Sequence, residues 1–318
     1  MKCARDAILL RLSFAILSAA LATSCAPRAS AETLLVGDGH KLKLPSEAAA
    51  AAKDGDTIEI EPHEGGYFDC ASWRQNDLTI EGKGQNVVIT DKACAGKALF
   101  VIDGNNTTIR NLSFQRARVP DKNGAGIRAE GGNLRIEHSR FINNEDGILS
   151  ADNPNATIAI YDSAFIDNGK CDPGCAHGLY VNKVGLLHVE RCTFRRTKRA
   201  HHIKSRALRT ELIGNDIEDG PDGTSSYLVD IPNGGALVMR DNVLEKGPNS
   251  ENHSTAVSIG EEGVSQPTPE ITIANNKFTN DLPMETLFVR NGTATPAKLT
   301  GNTFVGKVVP LSGDGSSQ

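Results

Sequence analysis

The octapeptide LRIEHSRF, residues 134–141, is followed by IAIYDSAF ending at Phe165 and LHVERCTF ending at Phe194. The pattern is alternating apolar residues, a polar pair, then Phe, Ile or Leu. It reads on as TELIGNDI to Ile217, LVMRDNVL to Leu244, ITIANNKF to Phe278 and AKLTGNTF to Phe304, with TIRNLSF to Phe114 as an earlier copy. From Phe114 the intervals are 27, 24, 29, 23, 27, 34 and 26 residues. Such spacing is too short for a β-α-β unit with a proper helix in each repeat, and no 3.6-residue periodicity separates the copies. Each copy therefore reads as one coil of short strands joined by Gly, Asn and Asp turns and stacked on the next, with right-handed crossovers.

Asn215, Asn242, Asn276 and Asn302 hold one place in successive copies, two before the closing apolar residue, which predicts an amide ladder along the solenoid. Ser139, Ser163 and Cys192 hold it in earlier coils, so Cys192 reads as a stacked core-side residue rather than a nucleophile. A solenoid must cover its open end. Residues 44–53, with Ser46 as N-cap and an alanine run, predict a short capping helix before a first coil at 55–67, GDTIEIEPHEGGY. The expected fold is all-β, a single-domain right-handed parallel β-helix with a short N-terminal capping helix. It occupies residues 32–310, with 311–318 a disordered tail.

Residues 1–31 read as a signal peptide: Lys2, Arg5 and Arg11, then the apolar run 12–22, then Ala29-Ser30-Ala31 before Glu32. The run is short of the about 20 residues a spanning helix needs, so no membrane span is expected. Export to the periplasm or beyond follows, with a lipid anchor at Cys25 as the lesser alternative. The whole chain has 34 basic and 39 acidic residues; removing the leader takes four and one, leaving 30 and 38, a net charge of −8. That excess of acid disfavours nucleic acid as a partner. In an oxidising compartment Cys171 with Cys175, around Asp-Pro-Gly, and Cys70 with Cys94 read as disulfides. A zinc site of Cys171, Cys175 and His177 is the weaker reading, because no second pair follows.

Seven segments between the motifs read as a second strand of each coil: 126–130, 147–151, 178–182, 202–206, 227–231, 256–260 and 287–291. The fourth, HIKSR, stands out. With Ile203 and Ser205 inward, period-two alternation puts His202, Lys204 and Arg206 outward, three ionisable groups on one short strand. Aligning Ser205 with Val229 sets Asp230 beside Arg206 and Leu228 beside Lys204. On the other side Tyr180 lies beside Lys204 and Asn182 beside Arg206, with His177 in reach. Tyr227 points inward or closes the same region. Arg191, Arg195, Arg196, Lys198, Arg199, Lys204, Arg206 and Arg209 fall within nineteen residues, a basic run suited to focusing anions or a solvated turn balanced by acids.

A cationic groove on an exported β-helix suggests an acidic, uronate-containing polysaccharide. Its β-elimination requires a neutralised carboxylate, a base and an acid. Lys204 is the expected base, poised by neighbouring cations, and Arg206 the neutraliser. Tyr180, His177 or His202 would be the acid, and Asn182, Asp230, Asn233, Arg196 and Arg199 would bind substrate. A C5-epimerase shares the first step. A glycoside hydrolase needs a second carboxyl group near Asp230; Glu145, Asp146 and Asp152 lie two or three coils away. A non-catalytic polysaccharide binder is the remaining class, and 5% aromatic content argues against sugar-stacking platforms. No cofactor is firmly expected. Calcium on the acidic turn 216–222 is an option, and oligomeric state has no sequence signal.

The opening GDTIEI with its Gly-Gly-Tyr turn resembles the start of pectate-lyase-like β-helix enzymes. The stretch IKSRALRTELIGNDI resembles the lysine strand of the chondroitinase-B and alginate-lyase family, which implies Lys204 as base. The following coil departs from that family: it carries SSYLVDIPNGG in place of an Arg-His-Gly strand, so Arg206 would have to supply the missing arginine. Asp172-Pro173-Gly174 is not the Asp-Pro-His-Asp signature of mannuronan C5-epimerases. The pair HxIKSR and SSYxxDxPNGG is most similar to uncharacterised exported β-helix repeat proteins, a likeness that implies a fold and no activity.

Overall fold

The repeated octapeptide is a bent pair of strands. In the copy ending at Phe141, Leu134–Glu137 and Arg140–Ile142 are separate strands, and His138 between them takes a left-handed conformation (φ 48°). Asn111, Asp162, Arg191, Gly214, Asp241, Asn275 and Gly301 take the same conformation at the same bend. Asn, Asp and Gly tolerate that region best, which accounts for the polar pair in the motif. A third strand, Asp146–Ser150 in this coil, closes the turn before the next copy begins.

The computed structural model describes residues 30–172 and 174–318; residues 1–29 of the expected leader, Cys25 among them, lie outside the described residues. Among them, the coils stack into parallel sheets of twelve, nine and ten strands. This is the expected right-handed β-helix. Every segment expected as a second strand falls on the ten-stranded sheet. No helix among the described residues is long and apolar enough to cross a membrane.

Stacking equivalent residues fills the interior. Phe114, Phe141, Phe165 and Phe194 lie ring on ring at 5.3, 4.7 and 4.6 Å. The amide ladder forms as expected. Asn215 donates to Asn242 Oδ1 from its backbone N (2.8 Å) and its Nδ2 (3.0 Å), and Asn242 and Asn276 repeat this with Asn276 and Asn302. Each rung thereby satisfies polar atoms that would otherwise be costly to bury. Cys192 continues the stack: its backbone N donates to Asn215 Oδ1 (2.8 Å), and burial pushes its thiol up to about 12. A thiol so held is inert.

Both ends depart from expectation. The first strand, Thr33–Val36, precedes the helix and pairs with Thr57–Ile60. The helix is Pro45–Ala51, with Leu44 and not Ser46 at the N-cap. Proline suits the first helical position, and the Ser46 backbone N donates instead to Asp69 (2.8 Å). At the far end, residues 311–318 are not a loose tail. Val308–Gly313 and Gly315–Ser317 are strands paired with Thr286–Asn291 and Ala297–Thr300, so they extend two sheets by one rung. Disulfides join Cys70 to Cys94 and Cys171 to Cys175, which occupies both thiols of the alternative zinc reading.

Candidate functional site

Along the outer face of the ten-stranded sheet, register places Arg128, Leu149, Tyr180, Lys204, Asp230, Ser258 and Arg290 side by side in consecutive coils. Tyr180 beside Lys204 is as expected. Asp230 is not beside Arg206: Ile203 pairs with Val229, so Asp230 faces Lys204, and Leu228 is wholly buried instead of neighbouring it. This register puts opposite charges directly across from each other, Lys204 Nζ to Asp230 Oδ2 at 3.1 Å.

The 260–270 connection folds back over two coils. The backbone N of Glu262 donates to Pro232 O (3.0 Å), and Gln266 Nε2 donates to Arg206 O (2.7 Å). Glu262 is thereby delivered to Lys204, Oε1 to Nζ at 2.6 Å, and to Arg206, Oε2 to Nη2 at 2.6 Å. Arg206 also donates from Nε to the Tyr180 hydroxyl (3.1 Å) and from Nη1 to Asn233 Oδ1. Burial raises the Glu262 carboxyl, but the hydrogen bonds from Lys204 and Arg206 outweigh it and hold it below its ordinary value.

Asp230 is 2% exposed, and its Oδ1 is buried without a hydrogen-bond partner among the described residues. Burial lifts its carboxyl to about 6, against the opposing pull of Lys204. A second ladder borders it. His177 Nδ1 accepts from the backbone N of His201 (3.1 Å), and His201 Nδ1 accepts from that of Tyr227 (3.0 Å). The three rings stack at 4.7 and 5.0 Å. With Nδ1 accepting, the ring proton of His201 sits on Nε2, 3.6 Å from Asp230 Oδ2. Burial, then Lys204, pushes the His201 imidazole down to about 3, so it is neutral and a donor. Tyr227 takes the second of its two expected placements, its hydroxyl bonded to Glu261.

His202 does not reach this face. It is fully buried, with Nδ1 at 2.8 Å from Thr197 Oγ1 and Nε2 at 3.0 Å from Asp219. Alternation fails because His202 and Ile203 are consecutive and both buried. His177 is 3% exposed and engaged by the His201 backbone. Asn182 is bonded to the preceding coil, Nδ2 to Ser150 O at 2.6 Å. The basic run is balanced rather than open. Arg196 pairs with Asp167 (2.7 Å), Arg199 with Glu251 (3.3 Å) and Arg209 with Glu211 (2.6 Å), and neither Arg196 nor Arg199 is bonded to the Lys204 cluster. Within the 216–222 turn Asp219 is turned inward to His202 and Ser250. Among the described residues no group of three or more His, Cys, Asp or Glu is placed to hold a metal ion.

The site thus unites Tyr180, Lys204, Arg206, Asp230 and Asn233 from the expected set. His201, Glu261 and Glu262 were missed. His201 had a signal: it aligns with His177 and Tyr227 in adjacent coils. Glu262, 58 residues from Lys204, had none.

Comparison with known proteins bears on the fold. Residues 55–217 match the model of the right handed beta helix region. An alginate lyase from Paenibacillus is a structural neighbour with 14% identity and a TM-score of 0.47, covering 90% of this chain and 99% of its own. A pectin methylesterase from Aspergillus niger has 12% identity and a TM-score of 0.42, covering 89% and 91%. No curated protein matches the sequence. The match over half of the chain, carried by coils whose stacking is described above, places this protein in the right-handed β-helix family.

Proposed function

We propose that this protein is an exported polysaccharide-active enzyme that cleaves an acidic, uronate-containing chain by β-elimination on the outer face of the ten-stranded sheet. One observation carries the reading. Lys204, in the strand Ile203–Ser205, and Arg206, just beyond its end, bind the two oxygens of a single carboxylate at 2.6 Å each. In the resting protein that carboxylate is Glu262; a uronate carboxylate has the same shape and charge. Two disulfides support an oxidising destination.

The roles shift from those expected. An ammonium bonded by both Asp230 and Glu262 is a donor, so Lys204 joins Arg206 in neutralising the substrate carboxylate. Asp230, ionised above about 6, takes the proton from the carbon beside that carboxylate. The electron pair forms the new carbon–carbon double bond, and the bond to the leaving oxygen breaks. The Tyr180 hydroxyl accepts from Arg206 Nε, which leaves its own hydrogen free for the leaving oxygen. Incubation with galacturonate, mannuronate and glucuronate polymers, followed by the absorbance of unsaturated sugar ends, tests this. Absorbance that is lost in Asp230→Asn is expected; its absence with every polymer overturns the lyase.

A second reading rests on Glu262. Asp230 raised and Glu262 lowered, both bonded to one lysine, form the acid and the ionised carboxylate that glycoside hydrolysis uses. Glu262→Gln separates the two: a hydrolase, whose products are reducing ends without absorbance, loses its activity in this variant, whereas a lyase keeps or gains activity.

A further inference from the structure

Glu262 has a neighbour in the same position relative to the groove. Glu261 Oε2 accepts from Ser258 Oγ (2.9 Å) and from the Tyr227 hydroxyl, and its Oε1 lies 3.9 Å from Arg290 Nη1. Ser258 and Arg290 are the next two outward rungs beyond Asp230, so Arg290 stands three strand spacings from Lys204, roughly 14 Å. Two consecutive carboxylates therefore meet two donor sets on one sheet face.

The turn that carries them is short and its backbone is tied to the preceding coil. Gly260 N donates to Ile231 O and Gly263 N to Gly260 O, which closes a four-residue turn with Glu261 and Glu262 at its tip. Gly260 and Gly263 have φ of 82° and 94°, a region other residues enter at a cost. Both glutamate side chains are about 40% exposed, so the acid groups reach the face from the solvent side. An anion arriving from solvent meets the same donors once an acid group swings away, so the exchange replaces one set of charge-assisted hydrogen bonds by another.

We propose that Glu261 and Glu262 are a built-in competitor. They fill two anion positions, Lys204–Arg206 and Arg290–Ser258–Tyr227, and an acidic oligosaccharide must displace them to bind. This rests on the carboxylate-binding role of Lys204 and Arg206 proposed above, and it adds a second carboxylate position at Arg290. A site whose open form is a minor population binds more weakly by that fraction, so removing the competitor raises affinity.

The test is calorimetric titration with tetrasaccharides of galacturonate, mannuronate and glucuronate, in an Asp230→Asn background that prevents turnover. Glu262→Gln keeps the shape of the turn and removes its charge; it is expected to bind at least one tetrasaccharide about tenfold more tightly than the background. Glu261→Gln added to it gains further, and Arg290→Met reverses that second gain. Thermal melting of each variant confirms folding. Unchanged affinity in both glutamine variants, with binding lost in Lys204→Met, overturns the competitor and leaves the carboxylate clamp standing. Binding by none of the variants overturns both.

Discussion

His201 and His202 are neighbours in the chain and opposites in the fold. His202 is sealed inside, with both ring nitrogens engaged by Thr197 and Asp219. Burial raises the Asp219 carboxyl, but hydrogen bonds from His202 and Ser250 outweigh it and hold it well below the usual range. His201 borders Asp230, whose Oδ1 has no partner among the described residues and whose carboxyl is held up at about 6. Both regions hold a histidine and a buried aspartate. In the first, every oxygen of the aspartate is bonded, which is what a structural network requires. In the second, an unsatisfied oxygen and a raised carboxyl sit beside a carboxylate clamp, the marks of a group kept for chemistry.

Asp230→Asn is expected to lower turnover by roughly 10²–10⁴-fold with little loss of stability, since the amide removes a buried charge; kcat and the melting curve together check it. Asp219→Ala should do the reverse. It strips the buried histidine of its partner and costs about 3–5 kcal/mol in denaturant unfolding. A fold that tolerates this loss would mean the inner cluster is not structural.

pH sharpens the contrast. Asp230 is raised in the folded state, so its contribution to stability is full below its unfolded value near 4 and is lost as pH rises through about 6. The loss amounts to about 3 kcal/mol by neutrality. Activity should rise over the same interval as the carboxylate forms. The native protein's unfolding free energy, taken relative to that of Asp230→Asn at each pH, should show that decline between pH 4 and 8, because the buried histidines contribute equally to both. Smallest is Arg196→Ala: a half-buried, bidentate pair with Asp167 is worth about 1 kcal/mol, and acidic oligosaccharide affinity should be unchanged in titration. A large loss of affinity would restore the basic run as part of the groove.

The solenoid was legible because its signals are local and repeated. The Asn215–Asn302 ladder and the bend residues recur once per coil, and Tyr180 beside Lys204 follows from the same alignment. The register on the other side of Lys204 was missed by two residues, because the turns between coils differ in length and alternation lapses at His202 and Ile203. That lapse also hid His201. Glu262 arrives on a connection that folds back over two coils, and no periodicity encodes such a contact. The cationic strand and Asp230 were visible in the sequence, whereas Glu261 and Glu262 were not.

The proposed role of Lys204 and Arg206 is to hold a sugar carboxylate. Titrating Asp230→Asn with an acidic tetrasaccharide and with its carboxyl-reduced counterpart tests it directly. At least tenfold tighter binding of the acid, abolished by Lys204→Met, is the predicted result. Equal binding of the two sugars would mean that Lys204 and Arg206 do not recognise the carboxylate.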